Sequence, residues 1–428
     1  MSNGAGLEKL KRGLLLRAQG RLEDAEVFLK EAVAADPEDG HAFFELAVCQ
    51  INMEGRRKEA LYSINQAISL DPGISEFHSV KGIALAFLDR GKEALEAADE
   101  AIRLSPESSL AYQSKARGYL VQQSWADAER EARKALSLDP DDSESGHILA
   151  SVLRLQGKMS ENADAVDKLL RDNPEDPYAH FNAGWSALQR SDNRQAEEHF
   201  REALRIDSDF DQARTGLIES YKARSPLFRQ YLKYCFFMQK FQRGTQWAII
   251  IGFYLAYRFG RAMLSSVHPV AATVLMIVYL AFVFWVWVAG GLGHFLILTD
   301  RSARIALKRN EALEGLVVGG GLILGIGLAV VGSLTGAGYL ILAGGGIAAA
   351  SIPAALTFTN ESRLGRFVFG GILAYVYGST LVCAVVWCLK PDSEPNESMF
   401  ALAMLGLLLC AICTWIGNIP ALRTARAR

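Results

Sequence analysis

The chain has 428 residues, 50% of them hydrophobic, with 45 Lys+Arg against 47 Asp+Glu and a net charge of −2. Those totals fit an ordinary soluble protein and exclude the strongly basic balance of a nucleic-acid binder, but they average two unlike halves. Residues 1–224 hold 29 basic and 40 acidic side chains. Residues 225–428 hold 16 and 7, and include uncharged apolar runs longer than the roughly 18 residues that signal a membrane helix.

At the start of the chain the apolar run Leu14 to Leu16 is far shorter than the ~7–15-residue core of a secretory signal, and position 2 is Ser rather than the Gly of a myristoylation pattern. The first half is therefore expected on the cytoplasmic side. Of the six cysteines only Cys49 lies in the first half, and the rest sit in or near apolar segments, which is no disulfide framework.

Prolines then fall at Pro37, Pro72, Pro106, Pro140 and Pro174, and one more step of 34 reaches Ser208. Five residues before each mark stand Ala32, Ala67, Ala101, Ala135, Leu169 and Ala203; twelve before stand Ala25, Ala60, Ala94, Ala128, Asn162 and Ala196. Small residues at fixed offsets let two antiparallel helices approach closely, and a proline past a helix end stops it. This lattice, over residues 6 to about 208, resembles the tetratricopeptide repeat, a 34-residue helix-turn-helix unit. Tyr112, Tyr119, Trp125 and Phe200 agree with its aromatic marks. The fifth unit departs most, at Asn162 and Leu169, and its helix pair is expected to be splayed or shifted. The segment DFDQARTGLIESYKARS reads as a capping helix over the last apolar face.

The resemblance implies a concave, partner-binding face built from the first helix of each repeat. In that register the candidate groove residues are Leu10, Leu14, Arg17, Glu45, Cys49, Arg117, Arg154, Tyr178, Phe181 and Trp185. Arginines there suit carboxylate or phosphate, and Phe181 and Trp185 offer apolar area. Some chaperone-binding relatives use Lys and Asn on their first helices. Leu10 and Leu14 stand at the corresponding places, so chaperone tails are not expected as ligands.

Residues 225–244 carry Arg229, Lys233, Lys240 and Arg243 interleaved with Phe228, Leu232, Phe236, Phe237 and Phe241, the pattern of a basic interfacial helix or linker. Six spans are expected in the membrane domain 245–428, at about 245–264, 269–292, 315–334, 337–358, 367–389 and 399–419. The basic residues of 299–314, of 359–366 and of the tail (Arg423, Arg426, Arg428) fall on one side, leaving Lys390 on the other. By the positive-inside rule both termini and the array face the cytoplasm. Arg258 and Arg261, within the first span, either snorkel or contact an anionic lipid or ligand. Twelve glycines between 315 and 346 predict close packing of the third and fourth spans, through Gly315-x3-Gly319 and Gly321-x3-Gly325, and Pro353 predicts a kink.

Catalytic chemistry is missing from the pattern. No histidine follows His294, no metalloprotease motif occurs, and 315–360 holds no Asp, Glu, Lys, Arg or His. Cys410 and Cys413 read as apolar packing residues. The expectation is an all-α protein, a tetratricopeptide solenoid (1–224) ahead of a polytopic helical domain. It would act as a membrane-anchored adaptor for protein or peptide partners in a bacterial inner membrane. No enzyme activity, metal, cofactor or nucleic-acid partner is expected. The rival reading is a transporter or channel for lipid or an uncharged solute with a regulatory repeat domain.

Overall fold

The computed structural model describes residues 2–53, 55–301, 303–389, 397–417, 419 and 422. Lys390, the connection around it and the tail arginines Arg423, Arg426 and Arg428 lie outside the described residues. Regular structure among the described residues is helical, with no strand.

Six helix pairs follow one another: α1 (Ser2–Ala18) with α2 (Leu22–Ala35), α3 (Gly40–Ile51) with α4 (Arg57–Leu70), α5 (Ser75–Phe87) with α6 (Gly91–Leu104), α7 (Ser109–Val121) with α8 (Trp125–Leu138), α9 (Ser143–Gln156) with α10 (Met159–Asp172), and α11 (Pro177–Gln189) with α12 (Asn193–Ile206). Proline disfavours helical geometry in the residue before it. Accordingly Asp36, Asp71, Ser105, Asp139 and Asn173 end their helices with φ between −143° and −132°, each donating its N–H to the carbonyl of Ala32, Ala67, Ala101, Ala135 or Leu169. The alanines at the two fixed offsets are at most 2% exposed, so the second helix of each pair meets its neighbours almost backbone to backbone. Where the fifth unit breaks the pattern, α10 keeps the 14-residue length of the other second helices. Asn162 is fully buried, donates to the Ala150 carbonyl at 2.8 Å and accepts from the Ser186 hydroxyl, while Leu169 packs over Gly146, which has no side chain to obstruct it.

The turn inside each pair demands one left-handed residue, and these recur in step: Gly20, Gly55, Asp89, Gln123, Gly157 and Ser191. A side chain in that conformation costs roughly 1–2 kcal/mol, which glycine avoids. Asp89→Gly is expected to raise stability by about 0.5–1 kcal/mol after the unfolded-state entropy of glycine is set against the relieved strain, read as a higher melting temperature of the detergent-solubilised chain.

Beyond the pairs come α13 (Asp211–Lys222), α14 (Pro226–Gln239), α15 (Arg243–Val267), α16 (Pro269–Leu298), α17 (Arg309–Glu314) running through a π-type turn at Gly315–Gly320 into α18 (Gly321–Thr335), α19 (Gly338–Ala349), α20 (Ser351–Phe358), α21 (Arg363–Leu389) and α22 (Glu397–Ile416). Among the described residues five runs are long and apolar enough to cross a membrane: Pro269–Leu298, Arg309–Thr335, Gly338–Phe358, Arg363–Leu389 and Glu397–Ile416. The expected first span at 245–264 is helical, as α15, but is not among the five. Its length suffices, whereas Gln246, Arg258 and Arg261 dilute its apolar character, and none of its residues is buried.

The chain divides into two compact units, one of Met1–Ala187, Glu202–Asp209 and Phe236–Ala248, the other of Leu188–Arg201, Phe210–Cys235 and Ile249–Arg428. The division does not fall at 224. Within the second unit α13 is fastened by charge to the segment joining α16 and α17. Arg214 donates to both Glu311 oxygens at 2.9 and 3.2 Å and to the Ala306 carbonyl at 3.0 Å, Lys308 pairs with Asp211 at 2.8 Å, and Arg224 bridges Glu197 and Asp300 at 2.7 Å each. Lys308 holds Asp211 below the usual carboxyl range, and Arg214 adds to this against the opposing effect of burial.

The apolar helices of that unit pack around Val288, Val318, Ile352, Leu356, Phe369 and Cys413. The glycine expectation is met in part and corrected in part. Gly325 and Gly344 do bring α18 and α19 into backbone contact: a Cβ built on Gly344 would stand 2.3 Å from the Gly325 carbonyl oxygen. Gly315 and Gly319 instead face α16, where a Cβ on either would strike the backbone of His294 and Phe295 or the Phe295 side chain. Pro353 has no N–H to offer the Ala349 carbonyl, and the run Gly338–Phe358 is interrupted there: α19 stops at Ala349 and α20 starts at Ser351, across Ala350, which keeps helical angles (φ −62°, ψ −14°). Gly344→Ala is expected to cost about 1–3 kcal/mol through overpacking, whereas Gly345→Ala, with nothing within 4 Å of the added carbon, is expected to be neutral or better. Comparing the melting temperatures of the two variants in detergent checks both signs.

Candidate partner-binding face

The first helices of the pairs, α1, α3, α5, α7, α9 and α11, carry the residues that the repeat register assigns to the concave face. Leu10 (6% exposed) and Cys49 (0%) belong to the core between the first two pairs, with Leu14 packed partly against it. The Cys49 thiol bonds to the Leu22 carbonyl at 3.4 Å, and burial, with Glu26 next, pushes it up to about 11. These two side chains serve packing and are closed to a ligand. Arg17 and Glu45 pair with each other at 2.8 Å.

In the middle of the array the guanidinium carbons of Arg57 and Arg117 lie 4.5 and 4.8 Å from the centre of the Phe87 ring. Cations over an aromatic face are held by the ring quadrupole. Arg117 also donates to Glu144 at 2.9 Å. The repeat register points to Arg117 but to neither of its companions. Phe87 is the last residue of a first helix, α5, whereas Arg57 starts a second helix, which a rule about first helices passes over.

Toward the end of the array, His147 meets Asp176 at 2.9 Å, and Ser151 donates to Asn182 at 2.9 Å. Burial alone would raise the Asp176 carboxyl, but the bond to His147 and the N–H groups of Tyr178 and Ala179 hold it below the ordinary range. Arg154 stands 5.7 Å over Trp185, its guanidinium drawn down to about 10 by burial and hence still charged near neutrality. Trp185 meets Phe181 edge-on at 6.4 Å, and Tyr178, 48% exposed, tilts against His147 at 5.9 Å. Tyr178, Phe181 and Trp185 thus form one aromatic ridge on α11, as their i, i+3, i+7 spacing dictates.

Arg258 and Arg261 are exposed on α15 and, among the described residues, form no ion pair. That helix is held to α16 by aromatic contact, chiefly Tyr257 stacked on Tyr279 at 4.0 Å.

Since Asp176 titrates lower in the folded protein than in the unfolded chain, its contribution is complete above the ordinary carboxyl value and is lost as pH falls through the folded one. Asp176→Asn is expected to cost about 1–3 kcal/mol at pH 7, with the difference closing as melting is repeated at pH values falling below about 4. A difference that stays constant with pH would assign the residue to packing alone.

Family models described as tetratricopeptide repeat match residues 16–84, 114–177 and 154–211. Similar solved structures include a tetratricopeptide repeat protein from Parabacteroides merdae, 17% identical, covering 50% of this chain and 82% of that one with a TM-score of 0.44. Pseudomonas aeruginosa pilF is 20% identical, over 50% and 97% of the two chains, with a TM-score of 0.38. YrrB, described as a TPR protein with an unusual peptide-binding site, is 19% identical, over 43% and 95%, with a TM-score of 0.30. No curated protein matches.

Proposed function

The N-terminal half of this chain is a tetratricopeptide-repeat array, and from that premise we propose that the protein is a membrane-anchored adaptor that captures a protein or peptide partner on the array's concave face. Such repeats are generally non-catalytic scaffolds. The observation that carries the reading is a cationic station at Arg57, Phe87 and Arg117 together with an aromatic ridge at Tyr178, Phe181 and Trp185, in a chain with five runs among its described residues apolar enough to span a bilayer. A ligand carboxylate would displace Glu144 from Arg117, and an apolar side chain would lie on the ridge. The proposed setting is a bacterial inner membrane with both termini cytoplasmic. Arg258 and Arg261 are proposed to meet anionic headgroups.

The transporter reading has one observation in its favour, a number of apolar helices larger than anchoring requires. Against it, α18 and α19 are pressed together at Gly325 and Gly344, and neither carries a charged side chain.

The test is crosslinking capture from the native membrane with the full chain. Arg117→Glu combined with Trp185→Ala is expected to reduce recovery of specifically crosslinked partners at least ten-fold while the protein stays in the membrane fraction. Unchanged recovery rejects the face, and the absence of any specific partner for the unmodified chain rejects the adaptor.

A further inference from the structure

The basic, aromatic segment at 225–244 reads from sequence as an interfacial helix, yet its far end is packed into the unit that holds the first ten helices. Phe236, 7% exposed, meets Trp185 edge-on at 6.3 Å. α14 ends at Gln239, whose carbonyl has no partner within the helix; the Trp125 indole N–H supplies one at 3.2 Å. Gln242 donates to the Ser124 hydroxyl at 3.3 Å. Lys240 lies across Gly157, where a Cβ would stand 2.7 Å from its amine. The receiving turn is itself braced, since Gln156 bonds to the Trp125 carbonyl and, with Lys158, to Glu129. Residues of three successive repeats therefore converge on one short stretch of this same chain.

From this we infer that the C-terminal end of the partner-binding face is a helix-end receptor, occupied in cis by residues 236–242. Its ligand class is a helical segment that presents an aromatic side chain to Trp185, a lysine four residues later to Gly157, and a terminal carbonyl to Trp125. The inference rests on the adaptor reading for its biological sense and on the cis contacts for its chemistry. A covalently attached segment competes at an effective concentration of about millimolar, so a partner in trans must either bear a better version of the same helix end or arrive when α14 is drawn away. Trp185, which holds Phe236 of the segment, is also part of the ridge a partner would use, so occupancy in cis and capture in trans compete for it.

The probe is a fluorescent peptide of residues 226–243, with Cys235→Ser to prevent oxidation, titrated against the full chain in nanodiscs with empty nanodiscs as the blank. The unmodified protein is expected to bind it weakly. Phe236→Ala in the protein frees the receptor and is expected to tighten peptide binding at least ten-fold, and adding Trp185→Ala is expected to abolish the gain. Lys240→Glu serves as a second opening variant, because its exposed side chain can be changed without touching the core. A peptide carrying Phe236→Ala and Lys240→Ala is expected to bind none of them. Equal affinity for the unmodified and both opened proteins, or a gain that survives Trp185→Ala, overturns the inference. No cellular partner enters this measurement, so its outcome is separate from that of the crosslinking capture, which alone decides the adaptor reading.

Discussion

Two helices can approach only as far as the side chains between them allow, and close approach is the constraint on which both halves of this protein are built. The water-exposed half meets it with alanine, the best helix former, so the contact adds no propensity cost. The apolar half meets it with glycine at Gly325 and Gly344, where backbone oxygen and backbone nitrogen of facing helices come within the space of a single missing Cβ. Glycine in a helix interior costs nearly 1 kcal/mol in water, but a membrane helix has no hydrophobic drive toward its neighbour, and van der Waals contact between backbones offsets the loss. Gly345, beside Gly344 but facing open space, shows that only some members of the glycine run answer this need.

The same constraint governs what could be read from sequence. A 34-residue period with small residues in register is legible because each repeat must solve one contact in one way, and the pre-proline helix stops follow from covalent geometry. Asn162 illustrates the limit: its departure from alanine is visible, but the buried partners that accommodate it, the Ala150 carbonyl and Ser186, come from a neighbouring first helix and from the next repeat. Charge pairing was hidden for a related reason. Arg117 with Glu144, Lys158 with Glu129 and Arg224 with Glu197 are 27 to 29 residues apart, a spacing that neither helix periodicity nor local charge pattern displays. Cations of the first helices are therefore legible by type, while the partners they already hold are not.

The glycine run and the segment 225–244 were ambiguous in a different way. Gly315-x3-Gly319 and Gly321-x3-Gly325 look alike as strings, yet the first faces His294 and Phe295 on α16, while in the second Gly325 meets α19 and Gly321 lies nearest the Tyr377 hydroxyl on α21. Likewise, basic residues alternating with aromatics suit a headgroup layer and a solenoid edge equally well. Composition states that a surface is amphipathic; it does not state which surface it meets.

Charge distribution at the apolar unit sharpens this point. Arg301, Arg304, Lys308 and Arg309 cluster between the end of α16 and the first residue of α17. Lys308 is consumed by Asp211 on α13, and Asp300 and Glu311 take Arg224 and Arg214 in return. Arg301, Arg304 and Arg309 are exposed without an ion pair among the described residues. Of the internal pairs that fasten α13, Arg214–Glu311 is partly shielded from solvent, while Lys308–Asp211 is exposed on both sides and, like the free guanidiniums, is screened within about 8 Å at physiological ionic strength. Raising salt should accordingly weaken the Lys308–Asp211 pair before the Arg214–Glu311 pair, so that α13 keeps its less exposed fastening.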